Sequence, residues 1–270
     1  MFQYAFARSL SLNKNIDIKL DTSSFKSYKQ RDYSLNKLSP NLPLADKNEV
    51  RWAKKKPNIL DKIFNKNRPT FSYIKEQAPG TYFSELLSLP DNSYINGYFQ
   101  TEKYFSSIRD TILKDFTLTE PLSPKNQEML DNIKNSSAVS LHIRRGDYVA
   151  LQDIYELCSL DYYKSAVEHM LNNVKNPHFF IFSDDIPWVE ENLKINAPYT
   201  LVNINDIPRG YFDMWLMKHC KHNIIANSSF SWWGAWLNEN PEKIVIAPKT
   251  WVKKDNDAFK DIIPHKWIRL

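Results

Sequence analysis

The sequence has little cysteine, no long apolar run and little excess charge, and each shortage excludes a class of protein. Its two cysteines, Cys158 and Cys220, have no paired spacing, so neither a disulfide framework nor a zinc site is expected, and a reducing compartment is the default. We expect neither a membrane helix nor a signal peptide, because no apolar run is long enough for either. The net charge is only +5, and the sequence shows no dense basic stripe of the kind that nucleic-acid-binding proteins have, so we expect no nucleic-acid partner.

Aromatic residues, in contrast, are abundant, at 14% of 270 residues, with 8 Trp and 14 Tyr. They favour a core rich in large rings, and the alternative is that some exposed rings stack on sugars. The lysine run at 54–56 indicates a solvated surface, which could also contact an anionic membrane, so peripheral membrane association stays open. The remaining composition, 42% hydrophobic and 25% charged, is that of a globular protein with one or two cores.

The first half of the chain shows sparse regular patterns, and we assign residues 1–135 to an N-terminal domain. Residues 1–10 have the pattern of an amphipathic helix, and residues 15–21 alternate like a strand. A weak lysine-rich helical pattern covers 46–66, and a second strand pattern at 94–100 precedes a predicted helix at 101–114.

The second half alternates regularly between strands and helices, and we assign residues 136–270 to a C-terminal domain. The predicted strands are 138–143, 178–183, 199–202, 223–226 and 243–247, and the predicted helices are 160–174, 186–193, 211–220 and 230–237. This order predicts an α/β fold with a parallel sheet and helices on both faces. In such sheets, ligands bind beyond the carboxyl ends of the strands.

The first segment with chemical potential is His142-Ile143-Arg144-Arg145-Gly146-Asp147-Tyr148, directly after the first strand of that half. Two adjacent guanidinium groups beside a histidine predict a cationic pocket, and arginine pairs bidentately with phosphate oxygens. A diphosphate leaving group gains negative charge as its bond breaks and needs that compensation. The alternative is an Arg145–Asp147 ion pair that fixes the loop, and both interpretations can hold.

The second segment, Ser183-Asp184-Asp185, follows the next strand. Two adjacent carboxylates could bind a metal ion. We favour the alternative that both cap the following helix, because no further carboxylate or histidine lies close in sequence to complete a coordination shell. The sequence therefore predicts no metal site.

The third segment, residues 227–236, reads Asn-Ser-Ser-Phe-Ser-Trp-Trp-Gly-Ala-Trp. Serine hydroxyls beside the free N–H groups of a helix start form an anion site, and the alternative is plain N-capping. The tryptophans are interpreted as helix-packing residues. Asp213, near the start of the preceding helix, could be an N-cap or could accept hydrogen bonds from guanine N1–H and N2–H₂.

Together, these segments resemble the α-1,2-fucosyltransferase family, glycosyltransferase family 11. The matching stretches are MFQYAFARSL, GYFQTEKYF, SLHIRRGDYV, FSDDIPWVEENL and NIIANSSFSWWGAWL, in family order across nearly the whole chain. The resemblance implies a GT-B-type fold with two Rossmann-like domains, the N-terminal one on the acceptor side and the C-terminal one binding the GDP-sugar. It implies inverting transfer from GDP-fucose to the 2-hydroxyl of a glycan or glycolipid with terminal galactose, without metal or other cofactor.

The resemblance also implies roles for individual residues. Arg144 would bind the donor phosphates, His142 and Asp213 would lie near the guanosine, and Ser229 and Ser231 would line the phosphate pocket. We include the neighbouring Arg145, Asn227 and Phe230 in the same donor site. For the catalytic base, Asp147 is the nearest carboxylate, with Asp153 and His142 as alternatives. The acceptor candidates are Tyr98, Gln100 and Tyr104.

In one respect the chain departs from the family pattern. Family members usually have a short strand and a glycine-rich loop directly before the MFQYA segment, and this sequence begins at that methionine, so we expect the chain as given to be poorly active. Three alternatives stay open: a GDP-sugar transferase of another linkage, a truncated paralogue that binds GDP without transfer, and a carbohydrate-binding module. Family habit suggests a cytoplasmic enzyme, peripheral on the inner membrane face, that builds bacterial O-antigen or capsule.

Overall fold

A computed structural model describes residues 1–26, 33–38, 40–55, 70–150, 156–253 and 258–270. The chain divides into two compact units, Met1–Thr119 with Asp257–Pro264 and Glu120–Asn256 with His265–Leu270. This division lies before the boundary that the sequence suggested at residue 135. The difference arises because a helix at 124–134 packs Leu130 and Ile133 into the core of the second unit.

In the first unit, the amphipathic helix expected at the start of the chain is confirmed. Helix α1 (Phe2–Lys14) buries one aromatic face, with Phe6 4.4 Å from Phe99 and Tyr4 5.1 Å from Phe116 between ring centroids. The other elements of this unit are α2 (Lys47–Lys54), α3 (Arg109–Asp115) and the parallel pair β1 (Ser72–Lys75) and β2 (Ser93–Asn96).

One prediction for the first unit is wrong and another is only partly correct. The strand expected at 15–21 is absent, since α1 ends at a left-handed Asn15 and only a single bridge joins Leu20 to Leu44. The helix expected at 101–114 is confirmed only in its second part, as α3, because its first part forms two short 3₁₀ turns. Of the helix expected at 46–66, α2 covers the first part, and residues 56–66 lie outside the described ranges.

The second unit is built on a six-stranded parallel sheet with the order β5-β4-β3-β6-β7-β8. Its strands are β3 (Ser137–Ile143), β4 (Pro177–Ser183), β5 (Tyr199–Val202), β6 (His222–Ile224), β7 (Val245–Ala247) and β8 (Ile268–Arg269). Its helices are α4 (Pro124–Lys134), α5 (Gly146–Ala150), α6 (Leu160–Asn173), α7 (Ile186–Asn192), α8 (Gly210–His219) and α9 (Ser229–Leu237). The predicted α/β class is confirmed.

Both faces of this sheet carry helices, as predicted. Alternate residues of β3 point to opposite faces. Val139 and Leu141 join a core cluster with α6, whereas Ala138 joins a second cluster with α4 and α8. Across the described part of the chain, no helix has the length and apolar character needed to cross a bilayer.

The strand order reverses direction between β3 and β6. The chain runs outward from β3 through β4 to β5, and then returns to pair β6 with the other side of β3. In an open parallel sheet, this reversal leaves a crevice at the carboxyl ends of the two central strands, where ligands bind. The loop after β3 and the loop after β6 therefore flank the most favourable binding position of this unit.

Candidate functional site

The two loops at this reversal contact each other directly. His142, near the end of β3, lies on the same face as Ala138, and its Nδ1 is 2.8 Å from Oγ of Ser231 in α9. The Tyr148 hydroxyl in α5 donates a hydrogen bond of 3.1 Å to the Asn227 carbonyl. The structure thus brings together the arginine loop (residues 142–148) and the serine segment (residues 227–231).

His142 is a buried, neutral member of this contact. Desolvation, with the nearby positive charge of Arg144 as a second cause, lowers its pKa to about 3. Its ring lies 5.5 Å from that of Phe230. A histidine that is 5% exposed and bonded to Ser231 cannot easily reach an acceptor hydroxyl, so its contacts favour a positioning role over that of the catalytic base.

The two arginines are paired with carboxylates, following the strand register. Ile143 and Ser183, the last residues of β3 and β4, lie opposite each other. The residues that follow the two strands are therefore also neighbours. Arg144 Nη1 donates to Asp184 at 2.5 Å, and Arg145 Nε donates to Asp185 at 3.2 Å. Asp147 accepts a further bond of 2.5 Å from Arg144 Nη2.

This pairing bears on two predictions. Both guanidinium groups of the predicted cationic pocket are paired, since Arg144 and Arg145 face three carboxylates, and their contact with donor phosphates stays a prediction. The alternative Arg145–Asp147 pair is wrong, because Asp147 binds Arg144. Arg145 instead stacks on Trp188, with its Cζ 3.9 Å from the ring centroid, and this contact fixes the guanidinium plane.

Capping by the acidic pair is half correct. Asp185 is the N-cap of α7 and accepts from the Trp188 N–H at 3.2 Å. Asp184 does not cap, and it accepts from Arg144 and from the Arg145 backbone N–H at 2.9 Å. Within the described ranges, no group of three His, Cys, Asp or Glu side chains could hold a metal ion.

The start of α9 combines a cap, one exposed serine and one buried serine. Ser228 is the N-cap and accepts from the Phe230 N–H. Ser229 is exposed at the first helical position, where free N–H groups favour an anion. Ser231 is 1% exposed and bonded to His142, so it supports the site from the interior and does not line an open pocket.

Asn227, predicted as a donor contact, makes its side-chain hydrogen bonds within the protein. Its Nδ2 donates to the carbonyls of Glu156 and Trp251, and its Oδ1 accepts from the Cys158 thiol. With the side chain 1% exposed and these bonds made, Asn227 joins neighbouring loops to the start of α9. The tryptophans of α9 are buried, as interpreted from the sequence.

Asp213 is the fourth residue of α8. The N-cap of this helix is Arg209, so Asp213 does not cap it. It accepts a bond of 2.6 Å from Asn205, which in turn bonds with the buried Asn126. Burial raises the pKa of Asp213 to about 6, and the Asn205 hydrogen bond opposes this shift. The first residue of α8, Gly210, faces the Phe230 ring, which links this helix to the serine segment.

Among the remaining candidates, Tyr98 is 62% exposed and Gln100 is partly buried. Tyr104 is 2% exposed and its hydroxyl is bonded to the Thr81 carbonyl, so its candidacy as an acceptor contact is wrong. Asp153 lies outside the described residues. The sequence patterns assigned no role to Tyr148 or Trp188, and they indicated a helix cap for Asp184. The signal that could have found Asp184 is its position after the strand next to β3.

The sequence profile of glycosyl transferase family 11 matches residues 43–270. An alpha-1,2-colitosyltransferase of Escherichia coli is 33% identical, over 100% of this chain and 94% of its own length. The O-antigen biosynthesis glycosyltransferase WbnK of Escherichia coli is 32% identical, over 100% of this chain and 96% of its own.

More distant similarity extends to mammals. Galactoside alpha-(1,2)-fucosyltransferase 2 of Sus scrofa is 25% identical over 53% of this chain and 45% of its own length. Among solved structures, a glycosyl transferase family 9 protein from Veillonella parvula has a TM-score of 0.44 at 10% identity, over 100% of this chain and 82% of that chain.

Proposed function

Because the chain belongs to glycosyl transferase family 11, we propose that it transfers L-fucose from GDP-fucose to the 2-hydroxyl of a galactoside, with inversion and without a metal ion. The observation that carries the proposal is the contact of His142 with Ser231 at the reversal of strand order. It joins an arginine loop to the start of a helix at the place where an α/β sheet receives a diphosphate.

Binding of the diphosphate requires an exchange of partners at Arg144. Its guanidinium is shared by Asp184 and Asp147, and the Asp147 side chain is 48% exposed. A carboxylate in contact with water is held weakly, so a donor phosphate can replace Asp147 on Nη2 at small cost. Ser229 and the first N–H groups of α9 then supply uncharged donors to the same diphosphate.

The chemical step is a single displacement. The acceptor oxygen bonds to the anomeric carbon as the bond from that carbon to the diphosphate breaks, and the acceptor proton passes to a base. Arg144 stabilises the charge that gathers on the departing GDP. We assign the base to Asp147, because displacement from Arg144 leaves its carboxylate unpaired beside the reacting groups. Asp213 accepts from the guanine edge.

Two observations support metal independence and a bacterial setting for this activity. Asp184 and Asp185, the carboxylates best placed for a metal ion, are paired with arginines, and Asp185 also caps α7. The relative named for O-antigen biosynthesis favours a surface-glycan acceptor with terminal galactose. We place the reaction in the cytoplasm, on or near the inner membrane face where such glycans are assembled.

A second candidate donor carries colitose, which is L-fucose without its 3-hydroxyl. The 33% identity with an alpha-1,2-colitosyltransferase over the whole chain favours it, whereas the fucosyltransferases match about half of the chain. Both candidates share the α-1,2 linkage and differ in one hydroxyl group. A site that hydrogen-bonds this hydroxyl rejects the deoxy sugar strongly, whereas an apolar site distinguishes them weakly.

The test is mass spectrometry of products from GDP-fucose and from GDP-colitose, each offered with a panel of β-galactosides. Transfer of fucose with a new α-1,2 linkage supports the proposal, and transfer of colitose alone moves the assignment to the second candidate. Calorimetry with GDP separates the remaining alternatives. Binding without transfer identifies a paralogue that lacks activity, and absence of binding identifies a carbohydrate-binding module.

A further inference from the structure

Resting on the proposed function, we infer that Asp184 is a positioning residue for the diphosphate site, and that residue 146 is glycine because Asp184 occupies the space beside it. Both oxygens of the Asp184 carboxylate are used by consecutive residues of the arginine loop. Oδ2 accepts from Arg144 Nη1 at 2.5 Å, and Oδ1 accepts from the Arg145 backbone N–H at 2.9 Å. One carboxylate therefore holds a side chain and the adjacent main chain together.

The two carboxylates on Arg144 differ in how firmly they are held. Asp184 lies directly after β4, its side chain is 18% exposed, and it makes two bonds to the loop. Asp147 is 48% exposed and makes one bond to Arg144. An incoming diphosphate therefore displaces Asp147 and leaves Asp184 in place. Asp184 keeps Nη1 and so presents the Nη2 edge of the guanidinium to the donor.

Gly146 provides an independent observation. A Cβ added there would lie 2.5 Å from Oδ2 of Asp184, closer than real Cβ atoms approach. The backbone at Gly146 is not in the left-handed region, so an alanine can adopt its conformation. Gly146→Ala is thus a probe that moves the Asp184 carboxylate without removing its charge.

The experiment uses the full chain and measures GDP affinity by calorimetry, transfer kinetics and melting temperature. Gly146→Ala and Asp184→Asn should each weaken GDP binding by about 10- to 100-fold, as expected when a binding group is displaced by about an ångström. Donor KM should rise and kcat should fall, with acceptor KM and melting temperature unchanged. In an Asp184→Ala background, Gly146→Ala should cause no further loss, because the carboxylate that it displaces is gone.

Two matched controls separate positioning from general disturbance. Gly210→Ala makes the same change at the first residue of α8, where the added Cβ would meet Phe230 at an ordinary 3.7 Å. Asp161→Asn removes a carboxylate that is 93% exposed and pairs with Lys164. Both variants should bind GDP like the unmodified protein.

Normal GDP affinity in Gly146→Ala, or losses that simply add in the double variant, would overturn the inference and leave the proposed function standing. An equal loss in Gly210→Ala would overturn it as well. If the unmodified protein binds no GDP, the proposed function fails, and the role of Asp184 fails with it.

Discussion

The arginine loop and the serine segment meet at the same reversal of strand order, yet they are built in opposite ways. The arginine loop is charged and partly exposed, and its guanidinium groups are held by carboxylates, of which the exposed Asp147 is the one that the proposed donor would replace. The serine segment is neutral, and apart from exposed Ser229 and partly buried Phe230 its side chains are buried with their hydrogen bonds made within the protein. The contact between His142 and Ser231 joins them.

This difference suggests a division of tasks in diphosphate binding. Charged groups in contact with water exchange partners at little cost, whereas a buried neutral network resists rearrangement. The serine segment would then hold the helix start in a fixed position, and the arginine loop would respond to the donor. The predictions below test each side of this comparison.

The largest effect is expected from Arg144→Ala. Loss of the guanidinium should reduce kcat/KM by about 10²- to 10⁵-fold, because the departing diphosphate loses its main charge compensation. The measurement is transfer kinetics with circular dichroism as the check of folding. Arg51→Ala on α2, which removes an exposed guanidinium, should leave kcat/KM unchanged. If Arg144→Ala transfers fucose within tenfold of the normal rate, the arginine loop does not bind the diphosphate as proposed.

The rigidity of the serine segment is tested by Ser231→Ala. This change leaves buried His142 without its partner and should lower the free energy of unfolding by about 1 to 3 kcal/mol. Ser229→Ala, at the exposed neighbouring serine, should change stability by less than about 0.5 kcal/mol while weakening GDP binding. Denaturant titrations and calorimetry give both values. Equal stability in the two variants would show that the serine segment is not rigidly held.

The pH dependence of stability tests Asp213. Its pKa of about 6 is raised above the ordinary 3.8, so the folded state binds the proton more tightly than the unfolded state. That stabilising contribution is complete below about pH 3.8 and is lost as the pH rises through about 6. Asp213→Asn should therefore be more stable than the unmodified protein at pH 7.5, by about 1 to 3 kcal/mol, and equally stable near pH 4.

Melting curves from pH 4 to pH 8 provide the measurement, with Asp161→Asn as a control at an exposed carboxylate. The same Asp213 variant should bind GDP less tightly, because an amide cannot accept from both N–H groups of guanine as a carboxylate can. A constant stability difference across this pH range would contradict the prediction.

The smallest effect is expected from metal removal. EDTA should leave the transfer rate unchanged, since the guanidinium groups and α9 supply the charge compensation that a metal would otherwise provide. The measurement is the initial rate before and after chelation. Activity lost in EDTA and restored by Mn²⁺ would contradict it.

Prediction from the sequence was reliable in the second unit and poor in the first. Short buried strands such as β3 and β4 have apolar runs that tertiary context does not override, and their predicted bounds agree with the structure within a residue. Residues 15–21 alternate equally well, yet they find only the Leu20–Leu44 bridge. A segment with a strand pattern forms a strand only where a neighbouring strand can accept and donate its backbone hydrogen bonds. The pattern itself does not show whether such a neighbour is present.

The site shows the same limit at the level of single residues. Both segments were found from residue type and from their position after strands, and their meeting was predicted. The partners of the arginines were not, since Asp184 was interpreted as a helix cap. The pairing of Asp147 with Arg144 and the buried position of Ser231 also depend on contacts between distant segments.

The sequence by itself determined the alternation of strands and helices, the arginines and serines at strand ends, and the family of the chain. Tertiary structure alone decided which side chains hold the arginines. The parallel register sets Ile143 opposite Ser183 and so places Arg144 and Arg145 against Asp184 and Asp185. Register is a property of two strands packed together, and a shift by one residue would have turned each side chain to the other face of the sheet.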